Sequence, residues 1–480
     1  MSTDRKLASL TRVTTILLVG RVAGFSLLLV NSIVIARVLG VEALGEYGYA
    51  MGLAALFGLV PNLGITTVIT RAIAQDPDHS LGFFKTALRT QAMLAGLVFL
   101  AVVGVAAVLP RQLVPVSYAA LAALQLTVGS FSWPYLAVLG GRSRYDRLAV
   151  AELITGSGGT FLIVGTALFG GSVTAFLVVH VVTAAASNVI ARAIAGPFLP
   201  PHDGPHCSFR ELLRQAFPFG GGAIVQSLYS RIDLVLLGQL SAAGTVGLYS
   251  AAYKPINMVV NFGSSAAGTL FPYLVQEAKT GPSGTYQRVQ RLFLVVAPLL
   301  ALAFSGLARP LLTTLYGADF AAAGSMLSIL AWAAAAKWLC APVAIALQAR
   351  GLERWWMIGL LVAFVVNVCV NWWAIPRWGG EGAAMATVVC EAGLLVSGMG
   401  LLHHRWRIAP PVHTILAAGV ATFCSAVLLL ALRPWGDVSA TIGAVSCYAA
   451  LTLLLRIATA DDVAKLVGRF RESVYGHARA

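Results

Sequence analysis

The sequence predicts an all-α integral membrane protein of about fourteen transmembrane helices. It places twelve of them in two six-helix lobes related by a pseudo-two-fold along the membrane normal, with two extra helices following. Composition, the placement of basic residues and an internal repeat carry this expectation. Of 480 residues, 58% are hydrophobic and only 11% are charged, and the mean hydropathy is +0.82. An ordinary soluble domain carries roughly 25% charged residues. A soluble fold of this size could not hide so much apolar surface, so lipid must be the solvent for most of it.

Apolar segments recur along the whole length, near 13–38, 45–71, 87–109, 116–140, 148–169, 172–195, 212–240, 247–276, 289–308, 321–348, 355–375, 380–402, 412–432 and 438–457. Several exceed the ~20 residues needed to cross a bilayer, which allows tilt. The first follows Arg5, Lys6 and Arg12 and runs on without a small-residue cleavage site. It reads as a retained span and not a secretory signal.

Basic residues fix the orientation. Of the 33 Lys and Arg residues, 24 fall on the N-terminus, the C-terminal tail and every second loop. The alternate loops hold only Arg37, Arg111, Arg309, Arg377 and Arg433. That asymmetry puts both termini in the cytoplasm and favours an even number of spans. It also accounts for the net charge of +14 without a nucleic-acid partner. The six cysteines have no disulfide or zinc spacing. The string from His202 to Cys207 reads as a turn-rich linker, so neither metal nor cofactor is expected.

The repeat sets the domain plan. Leu139-Gly140-Gly141-Arg142 matches Leu347-Gln348-Ala349-Arg350 at an offset of 208. Gly170-Gly171 matches Gly379-Gly380 at 209, and Gly45-Glu46-Tyr47 matches Gly247-Leu248-Tyr249 at 202. Six spans per repeat keep both lobes in one orientation, with substrate expected between them. The resulting plan has lobes at 10–195 and 212–402, a cytoplasmic linker at 196–211, an extra helix pair at 412–457 and a tail at 458–480. In the tail, Val463, Leu466, Val467, Phe470 and Val474 recur at helical spacing among Lys465, Arg469 and Arg471, the pattern of a membrane-surface helix.

Ionisable groups inside a bilayer cost several kcal/mol unless paired or wetted, so each is a functional candidate. The basic ones are Arg21, Arg231, Lys254 and Lys337; the acidic ones are Asp233, Glu391 and, near a span end, Glu152. Lys254, Asn257 and Asn261 share one helix face, which suits a wet lumen or an interhelix seam equally. Asn367 and Asn371 suit a seam. Lys337 and Glu391 fall near mid-membrane and could pair. Asp233 and Lys254 lie equally far from a turn near Ala243 and Gly244, so they should share a depth and pair. Arg231, two residues from Asp233, must then point elsewhere. Trp332, Trp338, Trp355, Trp356, Trp372, Trp373, Trp378 and Trp406 read mostly as interfacial belt anchors.

Local motifs add a resemblance. The stretch Ala36-Arg37-Val38-Leu39-Gly40-Val41-Glu42-Ala43-Leu44-Gly45-Glu46-Tyr47 resembles the first hairpin of polysaccharide and O-antigen exporters. So do Asn62-Leu63-Gly64-Ile65 with Arg71 following, Phe217-Pro218-Phe219, and Asp233-Leu234-Val235-Leu236-Leu237-Gly238. Val246 to Lys254, Leu315-Tyr316-Gly317-Ala318-Asp319-Phe320 and Gly379-Gly380-Glu381-Gly382-Ala383-Ala384 complete the pattern over about residues 10–400. The resemblance is to the polysaccharide branch of the multidrug/oligosaccharidyl-lipid/polysaccharide exporter superfamily. It implies a flippase, not an enzyme. The implied cargo is an undecaprenyl-diphosphate-linked oligosaccharide carried across a bacterial inner membrane by alternating access, for cell-surface polysaccharide such as O-antigen. Membrane lipids surround it; polysaccharide polymerase and glycosyltransferases are the candidate protein partners of a monomeric carrier.

An anionic diphosphate cargo needs fixed positive charge, and Arg grips phosphate oxygens with a planar fork. Arg21 and Arg231 are therefore the expected cavity cations, with Asn257 and Asn261 beside them. Asp233, Lys254, Lys337 and Glu391 are left as structural pairs or ion-coupling groups. Two other functions compete. An ion-coupled multidrug exporter of the same superfamily would use Asp233 or Glu391, but four basic groups against two clear acids disfavour it. A membrane glycosyltransferase or polymerase would need a sizeable extracytoplasmic loop, and all such loops here are short.

Overall fold

The computed structural model describes residues 3–109, 113–204, 207–280, 284–408 and 412–457, with side chains described at Gly24 and from Ser26 onward, apart from that of Thr280. The amphipathic tail expected at 458–480 lies outside the described residues. Among those residues, eleven helices are long and apolar enough to cross a membrane. The chain forms two compact units, Ala8–Gly247 and Leu248–Ala480 together with Met1–Leu7. That division falls after the seventh expected span, not at the 196–211 linker.

The first unit holds α1 (Thr3–Leu56), α2 (Ile65–Gln75), α3 (Leu81–Val108), α4 (Val116–Ser130), α5 (Ser132–Gly141), α6 (Tyr145–Leu168), α7 (Val173–Ala195) and α8 (Phe209–Leu240). Gly40 interrupts α1 at φ 71°, a conformation that glycine adopts without steric cost. It separates the first and second expected spans. The second span is then broken again. Residues 57–64 form consecutive turns, with Leu63 at φ 41° and Gly64 at φ 85°. Hydropathy predicts one helix over 45–71; Pro61 and the left-handed residues after it stop the helical ladder. The backbone of α8 presses directly on the break. A side chain on Gly64 would collide with the Ala216 carbonyl, and one on Gly220 with the Leu63 backbone.

Around this junction, Ile65, Ile69 and Ile73 of α2 pack with Phe84 of α3, Val138 of α5 and Leu212 of α8. Lipid tails are as apolar as these side chains, so close van der Waals fit holds the helices together, not exclusion of water. Small residues make that fit possible elsewhere. A methyl on Gly238 would meet the Tyr49 ring, and one on Gly52 the Leu234 side chain. Both contacts draw α8 onto the second half of α1.

A further close contact is reciprocal. A methyl on Gly45 would collide with the Ala243 carbonyl oxygen, and a methyl on Gly247 with the Val41 carbonyl oxygen. Val41 and Ala243, like Gly45 and Gly247, are separated by 202 residues. Positions equivalent by the sequence repeat thus meet one another within the first unit.

The second unit contains most of α9 (Ala243–Gly268), then α10 (Phe271–Thr280), α11 (Thr285–Gly306), α12 (Ala308–Tyr316), α13 (Ala323–Ala349), α14 (Glu353–Trp406), α15 (Val412–Leu432) and α16 (Asp437–Leu454). Its first helix also breaks, at Thr269–Leu270. α2 starts at residue 65 and α10 at 271, an offset of 206. Pro134 inside α5 and Pro342 inside α13 differ by 208. The 54-residue α14 is interrupted at Gly379, φ 53°, where the eleventh and twelfth expected spans meet. The extra pair, α15 and α16, packs on α11 through Leu302, Leu429 and Tyr448, whose hydroxyl donates to the Leu294 carbonyl at 3.0 Å.

Trp355, Trp372, Trp373, Trp378 and Trp406 are exposed, as side chains facing lipid or its interface would be. Trp338 departs from the belt reading. It is buried against Gly263, and its indole N–H donates to the Val259 carbonyl at 2.8 Å. A glycine opposite a mid-helix tryptophan supplies the space that an interfacial anchor would not need.

Candidate functional site

The first unit holds Arg231 and Asp233 on α8. Asp233 is buried at 5% exposure, whereas Arg231 is exposed. Two residues along a helix turn the side chain by about 200°, so these opposite charges leave on opposite faces. Arg231 makes no hydrogen bond or ion pair among the described residues. The side chain of Arg21, on α1, lies outside the described residues. In the second unit, Lys254 and Asn261 of α9 are exposed and Asn257 is half-buried.

Lys337 of α13 and Glu391 of α14 come together. The Lys337 Nζ lies 3.2 Å from the Glu391 Oε1, with side-chain exposures of 22% and 2%. The contact lacks hydrogen-bond alignment at Oε1, so it is held by charge more than by direction. Cys340 lies one turn further along α13 and donates weakly to the Glu391 carbonyl at 3.5 Å. Asn367 and Asn371 are both buried in α14, and the Asn371 Nδ2 donates to the Asn367 Oδ1 at 2.9 Å.

Three arrangements have no signature in the sequence. The first is a buried pair between Glu277 of α10 and Arg350 after α13, 3.9 Å apart, with exposures of 4% and 3%. Glu277 Oε2 also accepts the backbone N–H groups of Thr285 and Tyr286 at 3.0 and 3.3 Å. It thereby serves otherwise orphaned donors at the start of α11. Burial pulls the Arg350 guanidinium below its ordinary pKa, and Glu277 opposes that shift. By sequence, Arg350 counts as an ordinary loop cation.

The second is inside the first unit. The Tyr47 hydroxyl and His180 Nε2 lie 2.7 Å apart, with the two rings stacked. The third is a pair of cavities that share Arg71, read in the sequence as a loop charge and as part of a family motif but not as a site residue. One, of ≈ 720 Å³, lies among α2, α5 and the start of α6. The other, of ≈ 360 Å³, lies between α2 and α8.

The loops on this side are tied by charge. Arg142 donates to the Phe198 and Pro77 carbonyls at 3.2 and 2.6 Å and to Asp78 at 3.3 Å. Lys85 pairs with Asp203 at 3.0 Å, and the His79 and His202 rings stack at 5.4 Å. These contacts hold the first part of the linker against the 76–85 loop. No cluster suited to a metal ion occurs among the described residues.

Residues 10–277 match a family described as polysaccharide biosynthesis protein. The chain belongs to this family. It is 24% identical over 432 residues to the probable flippase AglR of Haloferax volcanii, covering 85% of this chain and 87% of that one. Among solved structures, it resembles the lipid II flippase MurJ in an inward closed conformation, with a TM-score of 0.70 and 12% identity. That match covers 93% of this chain and 99% of MurJ. It also resembles an inward-facing multidrug resistance MATE family transporter, with a TM-score of 0.60, 16% identity and coverage of 80% and 94%. The fold is thus that of the multidrug/oligosaccharidyl-lipid/polysaccharide superfamily. The protein is a flippase of glycan biosynthesis, a carrier and not an enzyme.

Proposed function

We propose that this flippase moves an undecaprenyl-diphosphate-linked oligosaccharide or polysaccharide repeat unit from the cytoplasmic to the outer leaflet of a bacterial inner membrane, by alternating access. Both termini are cytoplasmic in this reading. The observation that carries it is Arg231, an exposed guanidinium on α8, the helix that the sequence reads as the seventh span; it makes no ion pair among the described residues, while neighbouring Asp233 turns into the core. A mid-membrane cation without a carboxylate is costly unless an anion or water meets it. The diphosphate of the cargo supplies that anion. Arg21 is the second cavity cation and Asn257 and Asn261 line the path. Asp233 with Lys254 is read as a structural pair that leaves Arg231 for cargo.

The reciprocal contact of Gly45 with Ala243 and Gly247 with Val41 supports two lobes related along the membrane normal. Fourteen spans result in this reading from dividing α1 at Gly40 and α14 at Gly379 and from counting α8, which is not among the eleven helices long and apolar enough to cross. The drug-exporter alternative loses one of its acids, because Lys337 already occupies Glu391.

The test is export of glycan in a strain dependent on this protein. Arg21→Ala and Arg231→Ala should each abolish export while the protein stays in the membrane. Lys at either site should restore it partly, keeping the charge but not the bidentate fork. Normal export by the double Ala variant overturns the reading.

A further inference from the structure

Arg71 lies on α2, four residues before the helix ends at Gln75. At 1.5 Å per residue it sits about 6 Å from the loop that the basic residues assign to the cytoplasm. That is the level of lipid headgroups. Arg71 is exposed and makes no hydrogen bond or ion pair among the described residues.

The two cavities that meet at Arg71 differ in chemistry. The smaller sets the guanidinium beside the side-chain amides of Gln75 and Gln215. The larger adds Asn62, Thr67, Trp133 and Tyr145. The Asn62 Oδ1 is already used, accepting from the Thr66 backbone and hydroxyl at 3.0 Å each. Its amide N–H groups are therefore what it can offer the cavity. Among the described residues, neither cavity is lined by a carboxylate. A cation with amide donors and no acid selects an anion. An aromatic wall with hydroxyls beside it suits a sugar, which presents an apolar face and a hydroxyl rim.

We propose that Arg71 and the two cavities it joins form a cytoplasmic docking site for a lipid-linked diphosphate saccharide, with the diphosphate on Arg71 and the first sugar against Trp133. The proposal rests on the flippase reading above but uses none of its cavity residues. Docking at this depth captures the headgroup while its lipid tail is still in the inner leaflet. Transfer to the deeper cations then follows. The polar side of α2 supplies the path between the two levels: Thr70 and Thr66 lie four residues apart on the helix, and Asn62, in the turn before it, accepts from Thr66.

The experiment is calorimetric titration of the purified full-length protein in detergent with farnesyl-diphosphate-linked N-acetylglucosamine. Losing a charge-assisted contact of this kind should weaken binding roughly tenfold or more in Arg71→Ala. Arg71→Lys should fall between. Trp133→Ala should weaken binding of this probe but leave plain farnesyl diphosphate within about twofold, since only the sugar contact is lost. Uridine-diphosphate N-acetylglucosamine should compete weakly, because it lacks the lipid, and phosphatidylglycerol should not compete. Equal affinity in Arg71→Ala and the parent overturns the proposal, and so does full competition by phosphatidylglycerol or by the soluble nucleotide sugar. Melting temperatures of each variant separate lost binding from lost fold. Arg71-dependent binding should persist in the Arg21→Ala, Arg231→Ala double variant. Its persistence beside normal export by that variant would sink the deeper-cavity reading alone.

Discussion

The two compact units treat several of their cations differently. In the first, Arg231 and Arg71 have no carboxylate among the described residues. In the second, Lys337 sits on Glu391 and Arg350 on Glu277, with both acids almost fully buried. A cation that is already neutralised cannot also attract an anionic cargo strongly. On the flippase reading proposed above, this contrast favours the first unit as the place where an anionic cargo is met and gives the two charged pairs of the second a structural task. The contrast extends to the acids. Apart from Asp233, buried on α8, several acids of the first unit pair at the loops, where Asp78 meets Arg142, Asp203 meets Lys85 and Asp146 meets Arg144.

The largest expected effect lies in the second unit. Glu277→Ala would leave Arg350 buried without its partner and the Thr285 and Tyr286 N–H groups without their acceptor. Removing one partner of a buried pair costs about 3–5 kcal/mol, and the orphaned donors add to it. The melting temperature of the purified protein should drop sharply, and expression should fall with it. Arg231→Ala should differ from the parent by less than about 0.5 kcal/mol, as for an exposed residue without specific contacts. Comparable destabilisation by both variants would break the distinction between the units.

A smaller effect is expected at Glu391. Glu391→Gln keeps the shape but leaves the Lys337 charge unbalanced, and Lys337 is partly exposed. The loss should sit near the low end of the range for a broken buried pair, about 3 kcal/mol. The double variant Lys337→Met, Glu391→Gln should regain most of it, because no uncompensated charge remains. Export by that double variant should stay near the parent level if the pair is structural. Loss of export in a well-folded double variant would instead give this pair a role in transport.

Much of this arrangement follows from spacing along the chain. Hydropathy and basic loops mark the apolar segments, and Gly40 and Gly379 fall where adjoining spans are expected to meet. Depth is also legible. Lys337 and Glu391 count to the middle of their spans, and the structure brings their side chains within 3.2 Å. What spacing cannot give is direction around a helix and contact between distant helices. Arg350 looks like any loop cation in the sequence, yet it is buried because α10 brings Glu277 beside it. Arg71 stands in the sequence as part of a family motif, but its cavities are not legible there, since they are bounded by α5, α6 and α8. The break at 57–64 is hidden for another reason. Hydropathy stays high through it, and the only clues are Pro61 and Gly64. Trp338 reads as a belt anchor because the sequence does not show the facing Gly263 that makes room for it inside the bundle.

The smallest effect concerns the acids at the loops of the first unit. Asp76 follows α2, and its Oδ1 accepts the backbone N–H groups of His79 and Asp78 at 3.1 and 3.3 Å. It also lies 3.2 Å from the His79 Nδ1. The His79 backbone bond, with help from the His79 ring and the Asp78 N–H, holds the Asp76 carboxyl below its ordinary pKa, against a smaller opposing effect of burial. A lowered folded-state pKa means that folding favours the charged form. The resulting stability is fully present above the unfolded value, about 3.9 for Asp, and is lost as pH falls through the lower folded value. The group is fully exposed, so solvent and salt screen the effect and the whole protein should not unfold with it. The expected outcome is local. His79 stacks on His202, and the Leu81 N–H donates to the His202 carbonyl at 3.2 Å. Releasing the Asp76 turn should therefore loosen both 76–81 and 199–204. Limited proteolysis with an acid-active protease between about pH 5 and pH 3 should show cleavage rising in both segments together as pH falls below the Asp value. Asp76→Asn should show the higher cleavage already at pH 5, since it accepts these bonds without charge. Cleavage that is unchanged over this range, or that rises in 76–81 while 199–204 stays protected, would mean that the turn does not hold the linker.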